Sequence, residues 1–216
     1  MALPAQDNFN GTNYSYLNVR TGWLDTYGTS SLQIRNNGVT AELSGNYDAG
    51  AHAIVGDSWN GDTFYFEQYS QAVLTAALGY GGMGVLVRRQ GGADSYYGLF
   101  ILTGGAILFK RTAGSNTTLA YDEITRAVGS LLKLTVTGTT TTTLTAYYNS
   151  VQILTVNDSS SPFTSGSAGV CGIGDNGPNQ LIDDWEGGDI GAAAGHPTMS
   201  RWQGIPGMKY TGRKGW

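Results

Sequence analysis

The chain has 216 residues, 16 acidic and 12 basic side chains, and a formal charge of −4; charged residues make up 13% and glycines number 33. The charged share is about half the usual one, so the composition points to many short strands and tight turns with a surface made polar by hydroxyls and amides. It excludes three classes: no apolar run approaches the ~20 residues of a membrane span, Met1 to Gln6 lack a signal peptide's basic and apolar regions, and the single Cys171 allows no intrachain disulfide. Synthesis in a reducing cytoplasm without export is the expectation.

Strand signals run from end to end. Thr63–Tyr69 is aromatic-rich, as strands prefer, and Gln71–Leu78 is predicted as a strand rather than a helix in these surroundings. Gly84–Arg88 is a short apolar run closed by a polar turn. Tyr96–Leu102 and Ala106–Lys110 flank Gly104 and Gly105, a two-glycine hairpin signal. Ala120–Val128 is the one plausible helical turn. Leu132–Thr137 alternates apolar and polar residues, as a half-buried strand must. The threonines from Thr139 to Thr143 read as a strand edge, and Thr143–Tyr148 and Val151–Val156 join across Asn149 and Ser150. Cys171, in the apolar stretch Ala168–Ile173, reads as a buried strand residue rather than a nucleophile. Turn signals every eight to twelve residues predict an all-β fold, an antiparallel two-sheet jelly-roll sandwich.

The charge is unevenly spread. Residues 1–189 hold all 16 acids and eight of the cations, a formal −8, whereas residues 190–216 carry no acid and a formal +4. The second segment has six Gly, two Pro, the cations Arg201, Lys209, Arg213 and Lys214, and the large rings Trp202, Tyr210 and Trp216. Glycine, proline and the lack of periodicity prevent it from forming a core of its own. The expected organisation is one domain, 1–189, and an irregular C-terminal arm, 190–216. The arm's rings and cations suit the pockets and acidic rims of a protein partner; folding back onto the acidic body is the rival. Nucleic acid is disfavoured, since four charges bind it weakly and the body is acidic. With no amphipathic helix, a membrane surface is disfavoured too.

Several segments share an order with a known family: Asp7–Asn10, Trp23, Gly84–Arg89 followed by Tyr96–Leu99, Leu108–Arg111, Lys133–Gly138, Ala146–Asn149, Val156–Asp158, Ser165–Gly169 and Asp183–Glu186. In that order residues 5 to 190 resemble a laminin-G-like domain of the concanavalin A-like lectin/glucanase superfamily, of the kind found in phage virion proteins. The resemblance implies two curved antiparallel sheets with the first and last strands side by side. Combined with the arm, it implies a non-enzymatic structural or decoration protein of a phage-like virion, on the virion surface and made in the host cytoplasm. The arm would dock on a partner subunit within a homo-oligomer, and the jelly roll would face outward with glycan affinity. A free glycan-binding lectin and a degenerate glycoside hydrolase are the alternatives.

Glycosidases of this superfamily carry Glu-x-Asp-x-x-Glu on one strand, with the two acting carboxylates about 5.5 Å apart in a retaining enzyme. Glu42, Glu67, Glu123 and Glu186 lack an acidic partner at that spacing, and Asp183, Asp184 and Glu186 come nearest to it. His52 and His196 have no nucleophile motif beside them, and Gly79–Gly84 lacks the Lys-Ser/Thr of a phosphate loop. No catalytic residue is assigned and no cofactor is required. A structural calcium is what the resemblance adds, with Asp7, Asp183 and Asp184 as ligands, beside Asn8, if the terminal strands pair. Glycan binding needs an exposed ring and nearby amides or carboxylates. Trp59, Asn60, Asp62, Tyr96 and Tyr97 are the candidates, with Tyr65 and Tyr69, whereas Trp23 and Trp185 read as core.

Overall fold

The structure is a computed structural model and describes residues 3–11, 16–24, 32–40, 54–77, 81–173 and 180–191. Among the described residues fifteen strands form two antiparallel sheets, and the only helical element is the 3-10 turn Leu17–Val19. Sheet A contains β1 (Ala5–Asp7), β3 (Gln33–Arg35), β4 (Gly38–Thr40), β6 (Gln68–Ala76), β11 (Leu131–Thr137), β12 (Thr142–Tyr148), β13 (Val151–Asp158) and β15 (Leu181–Asp189). Its order is β13-β12-β11-β6-β15-β4-β3, with β1 also paired to β15. Sheet B contains β2 (Trp23–Leu24), β5 (Ile54–Trp59), β7 (Gly82–Arg89), β8 (Tyr96–Leu102), β9 (Gly105–Thr112), β10 (Ser115–Asp122) and β14 (Ser167–Ile173), in the order β10-β9-β8-β7-β14-β5-β2.

The alternation read in the sequence sets the layers. On β11, Leu132, Leu134 and Val136 are buried between the sheets, while Leu131, Lys133 and Thr135 lie half-buried on the outer face. Met83, Val85 and Val87 of β7 and Leu99 and Ile101 of β8 meet them from sheet B. Burial of this apolar surface is the main stabilising term. Sheet B differs from sheet A in being buried on its other face as well, where Leu86, Tyr96, Phe100, Phe109 and Cys171 form a second cluster. Cys171 is therefore an inert core thiol, its Sγ donating to the Val85 carbonyl at 3.4 Å.

As the resemblance implied, the first and last strands lie side by side: Ala5, Gln6 and Asp7 pair with Gly187, Glu186 and Trp185. Under this junction Trp23, Trp59 and Trp185 pack together with centroids 4.8–5.7 Å apart, and Phe9 joins them at 5.6 Å from Trp23. Such aromatic pairs add about 0.5–1.5 kcal/mol each beyond their burial. β15 carries a bulge, where Asp184 and Trp185 face the single residue Ala72 between the pairs Asp183–Val73 and Glu186–Gln71. Asp184 takes the left-handed conformation there, with φ 49°.

Three sequence expectations need correction. Thr63–Tyr69 is not a strand until Gln68. Phe64 anchors it in the core, while its backbone is held by side chains, the Asp189 carboxylate accepting from the Tyr65 N–H at 2.8 Å and the Gln68 amide donating to the Tyr65 carbonyl at 2.8 Å. Ala120–Val128 forms no helix; its start completes β10, and the rest is irregular. The threonine run forms a turn and then opens β12, which sits inside sheet A between β11 and β13 rather than at an edge.

β15 ends at Asp189, and the Ile190 N–H continues onto the Glu67 carbonyl at 2.9 Å. Arg201, Trp202, Lys209, Tyr210, Arg213, Lys214 and Trp216 lie outside the described residues, as do Glu42, His52 and His196.

Candidate functional site

Directly opposed residues on neighbouring strands point to the same face. Across sheet A the register joins Tyr147 to Lys133, Lys133 to Gln71, Gln71 to Glu186 and Glu186 to Gln6. One row therefore crosses β12, β11, β6, β15 and β1 on the face turned away from the core. Four strand spacings make it roughly 19 Å long. The next row runs Thr155, Thr145, Thr135 and Tyr69 to Gly188.

Glu186 is the centre of this face. Its Oε1 accepts from the Tyr69 hydroxyl at 2.6 Å and the Gln71 amide at 3.2 Å, and its Oε2 accepts from the Gln6 amide at 2.7 Å. All three donors are neutral. They occupy three of about four acceptor positions that a carboxylate offers, and the two glutamine carbonyls remain available as acceptors. Burial, and then the bond to Glu186, pushes the Tyr69 phenol well above the usual tyrosine range, so it remains a donor at neutral pH. Lys133 holds its Nζ 4.5 Å from the centre of the same ring.

Two hollows flank this centre. One, of about 290 Å³, is lined by Gln6, Asp7, Asn8, Gln71, Asp184, Trp185 and Glu186. The other, of about 250 Å³, is lined by Leu131, Lys133, Thr135, Tyr147 and Ser150. Ring, ammonium, amides, carboxylate and hydroxyls thus share one open surface, the set of groups that binds sugars by stacking and by hydrogen bonds to hydroxyls.

The rings chosen from the sequence lie elsewhere. Trp59 is 4% exposed in the tryptophan cluster, and its indole N–H donates to Asp62 at 3.0 Å, so its faces are not free for a sugar. Tyr96 is fully buried in the second cluster of sheet B. Tyr97 is fully buried too, its hydroxyl donating to Asp158 at 2.7 Å and accepting from the Phe163 N–H at 3.0 Å. Asn60 and Asp62 follow β5 and line neither of the two hollows. Trp23 and Trp185 are core, as read. Of the sequence candidates, Tyr69 is the one that joins the site, and Tyr65 is exposed just before β6.

The calcium candidates lie close together, since Asp7 pairs with Trp185, next to Asp184, and lines one hollow with Asp184. Burial raises the Asp183 carboxyl above the usual range, the Asp184 N–H opposes this, and the charges of Asp184 and Asp7 add to the rise. The donors do not suit the ion. Asp7 accepts from Arg20 Nη2 at 2.7 Å and Nε at 3.2 Å, from the Trp23 indole at 2.8 Å and from the Phe9 N–H at 2.8 Å. Asp183 accepts from the Asp184 N–H at 2.7 Å. Calcium requires six to eight oxygens free to turn toward it, and here a guanidinium already neutralises Asp7. Among the described residues no group of three or more His, Cys, Asp or Glu is placed to hold a metal, and no helix is long and apolar enough to cross a membrane.

Sequence reasoning missed the row because its members come from five strands, 6 to 147 in number. Alternation over Leu132–Thr137 set Lys133 apart from the apolar side, but the register that sets Tyr147, Lys133, Gln71 and Glu186 side by side is a tertiary property.

The fold is shared with solved structures of low identity. A protein of unknown function with a galectin-like fold from Bacillus subtilis superposes with a TM-score of 0.56 at 13% identity, covering 86% of this chain and 94% of that one. A glucanase (lichenase) for β-1,3-1,4-linkages, derived from a mouse hindgut metagenome, gives 0.54 at 10%, with 86% and 99% covered. A carbohydrate-binding module from Bacillus subtilis gives 0.51 at 13%, with 77% and 93% covered. At such identities the likeness defines a jelly-roll sandwich and no activity. No protein-family model and no curated protein sequence matches the chain.

Proposed function

We propose that this chain is a non-enzymatic glycan-binding module that holds an oligosaccharide across the outer face of sheet A. The observation that carries this reading is the unbroken row of Tyr147, Lys133, Gln71, Glu186 and Gln6. Tyr147 offers a half-exposed ring, and Glu186 with its two glutamines offers fixed acceptors for hydroxyls. The likeness to a carbohydrate-binding module supports it at the level of fold. A hydrolase is disfavoured because Glu186 is engaged by three neutral donors and the sequence lacks Glu-x-Asp-x-x-Glu. The test is a glycan array with the full chain, Tyr147→Ala and Glu186→Gln. Wild-type binding that falls at least tenfold in both variants is expected; full binding by both variants removes this face from consideration, and turnover of a bound polysaccharide restores the hydrolase.

A second reading concerns residues 190–216, whose +4 charge without a single acid contrasts with the −8 of the rest. It makes this segment an arm that fastens the sandwich to a protein partner, as in a decoration protein of a phage-like particle. Light scattering on the full chain and on a truncation ending at Asp189 tests it. Defined oligomers formed only by the full chain support the arm; two monomers rule out self-assembly through it.

A further inference from the structure

The row is electrically asymmetric, and the asymmetry names a ligand class. The cations Arg20, Lys110 and Arg111 pair with Asp7, Asp158 and Asp94. Lys133, the one cation of the row, makes no ion pair among the described residues and lies over the Tyr69 ring. An ammonium has three donors and no acceptor, and contact with a ring face leaves donors unused. They border the hollow lined by Leu131, Thr135, Tyr147 and Ser150, which has no carboxylate among the described residues. At the other end of the row, the second hollow is walled by Asp184 and Glu186, beside Asp7, whose charge Arg20 already neutralises. Tyr69 stands between the two, its ring under Lys133 and its hydroxyl on Glu186.

We infer that the glycan is anionic, and that a carboxylate or sulfate on one sugar seats on Lys133 at the Tyr147 end while unsubstituted sugars lie toward Glu186 and Gln6. This rests on the glycan-binding reading above and adds charge and direction to it. The acidic hollow repels the anionic group and the Lys133 hollow attracts it, so both attraction and repulsion select one orientation. Half-burial of Lys133 shields the contact from solvent more than a freely exposed pair would be, and its partner is charged.

The experiment is calorimetric titration of the full chain with two matched pairs: oligogalacturonate against its methyl ester, and a sulfated oligosaccharide against its desulfated form. The wild type should prefer one anionic member about tenfold over its neutral match, and the preference should shrink as salt is raised. Lys133→Gln should abolish the preference and Lys133→Arg should keep it; which pair responds tells carboxylate from sulfate. Equal binding of both members, or a preference that survives Lys133→Gln, overturns the inference. Binding of neutral glycans alone also overturns it and leaves the module reading intact, whereas failure to bind any glycan on the array overturns both.

Discussion

The Lys133 ammonium lies 4.5 Å from the centre of the Tyr69 ring, whose hydroxyl is donated at 2.6 Å to the Glu186 carboxylate. One tyrosine thus holds a cation by its face and an anion by its edge, and keeps the two from pairing directly. The site's polarity depends on where that ring stands.

Gly188 fixes the ring's position. A Cβ on residue 188 would come within 2.9 Å of Tyr69 Cε1 and 3.0 Å of its hydroxyl oxygen. Gly188→Ala should push the ring off Glu186, weaken glycan binding several-fold and cost about 1 kcal/mol of stability. Unaltered affinity in titration calorimetry would show that the Tyr69–Glu186 bond does not organise the site.

Arg88 should govern stability without touching the row. It is fully buried, and its guanidinium donates to the carbonyls of Phe66, Gly138 and Phe163 and to the Thr142 hydroxyl at 2.5–3.0 Å. It ties three connecting segments to β7 at one end of the sandwich. Lysine cannot present the same planar fork, so Arg88→Lys should lower the unfolding free energy by about 2–4 kcal/mol. A loss under 0.5 kcal/mol in urea unfolding would contradict this role.

Alkaline pH should unfold the protein through its tyrosines. Tyr69, Tyr96 and Tyr97 are each pushed above the ordinary range, in every case first by burial; hydrogen bonds to Glu186 and Asp158 add to the effect at Tyr69 and Tyr97. In the unfolded chain they ionise near pH ~10. Below that value their contribution is complete; above it the unfolded state loses protons that the folded state keeps, so stability falls as pH rises. Urea midpoints measured from pH 9 to 11 should decline, with a shallower slope in Tyr69→Phe. A flat profile would mean that these phenols ionise in the folded protein.

Chelation should have no effect on the terminal-strand corner. With Asp7 committed to Arg20 and Trp23, EDTA should leave the melting temperature unchanged, whereas loss of a tight calcium would cost a few kcal/mol. A drop of several degrees, reversed by calcium, would require Asp7 to exchange its partners for a metal.

Much of the sandwich was legible because its signals are local. Period-two alternation exposed β11, the glycine pair exposed the β8–β9 turn, and apolar surroundings marked Cys171 as core. The ligand face was not legible for the opposite reason. Alternation assigns Lys133 and Tyr147 a side, but only register makes them neighbours. Ring type also misled: Trp59, in a turn-rich stretch, looked like an exposed platform, yet its indole is closed in by Trp23 and Trp185. One usable clue was passed over. Ile182 and Trp185, both apolar, stand three apart, a spacing that strict alternation cannot bury on one side without an extra residue.

That extra residue makes Asp184 a punctuation mark in β15. Substitution at this exposed position should be tolerated wherever glycine or asparagine can adopt the same φ. Deletion would leave Trp185 alone opposite Ala72, between the pairs Asp183–Val73 and Glu186–Gln71, so every later residue would keep its side and only the bulge with its local twist would be lost. β15 and β6 fit together with or without an extra residue at 184, so homologous chains that keep this face can differ there in length as well as in identity.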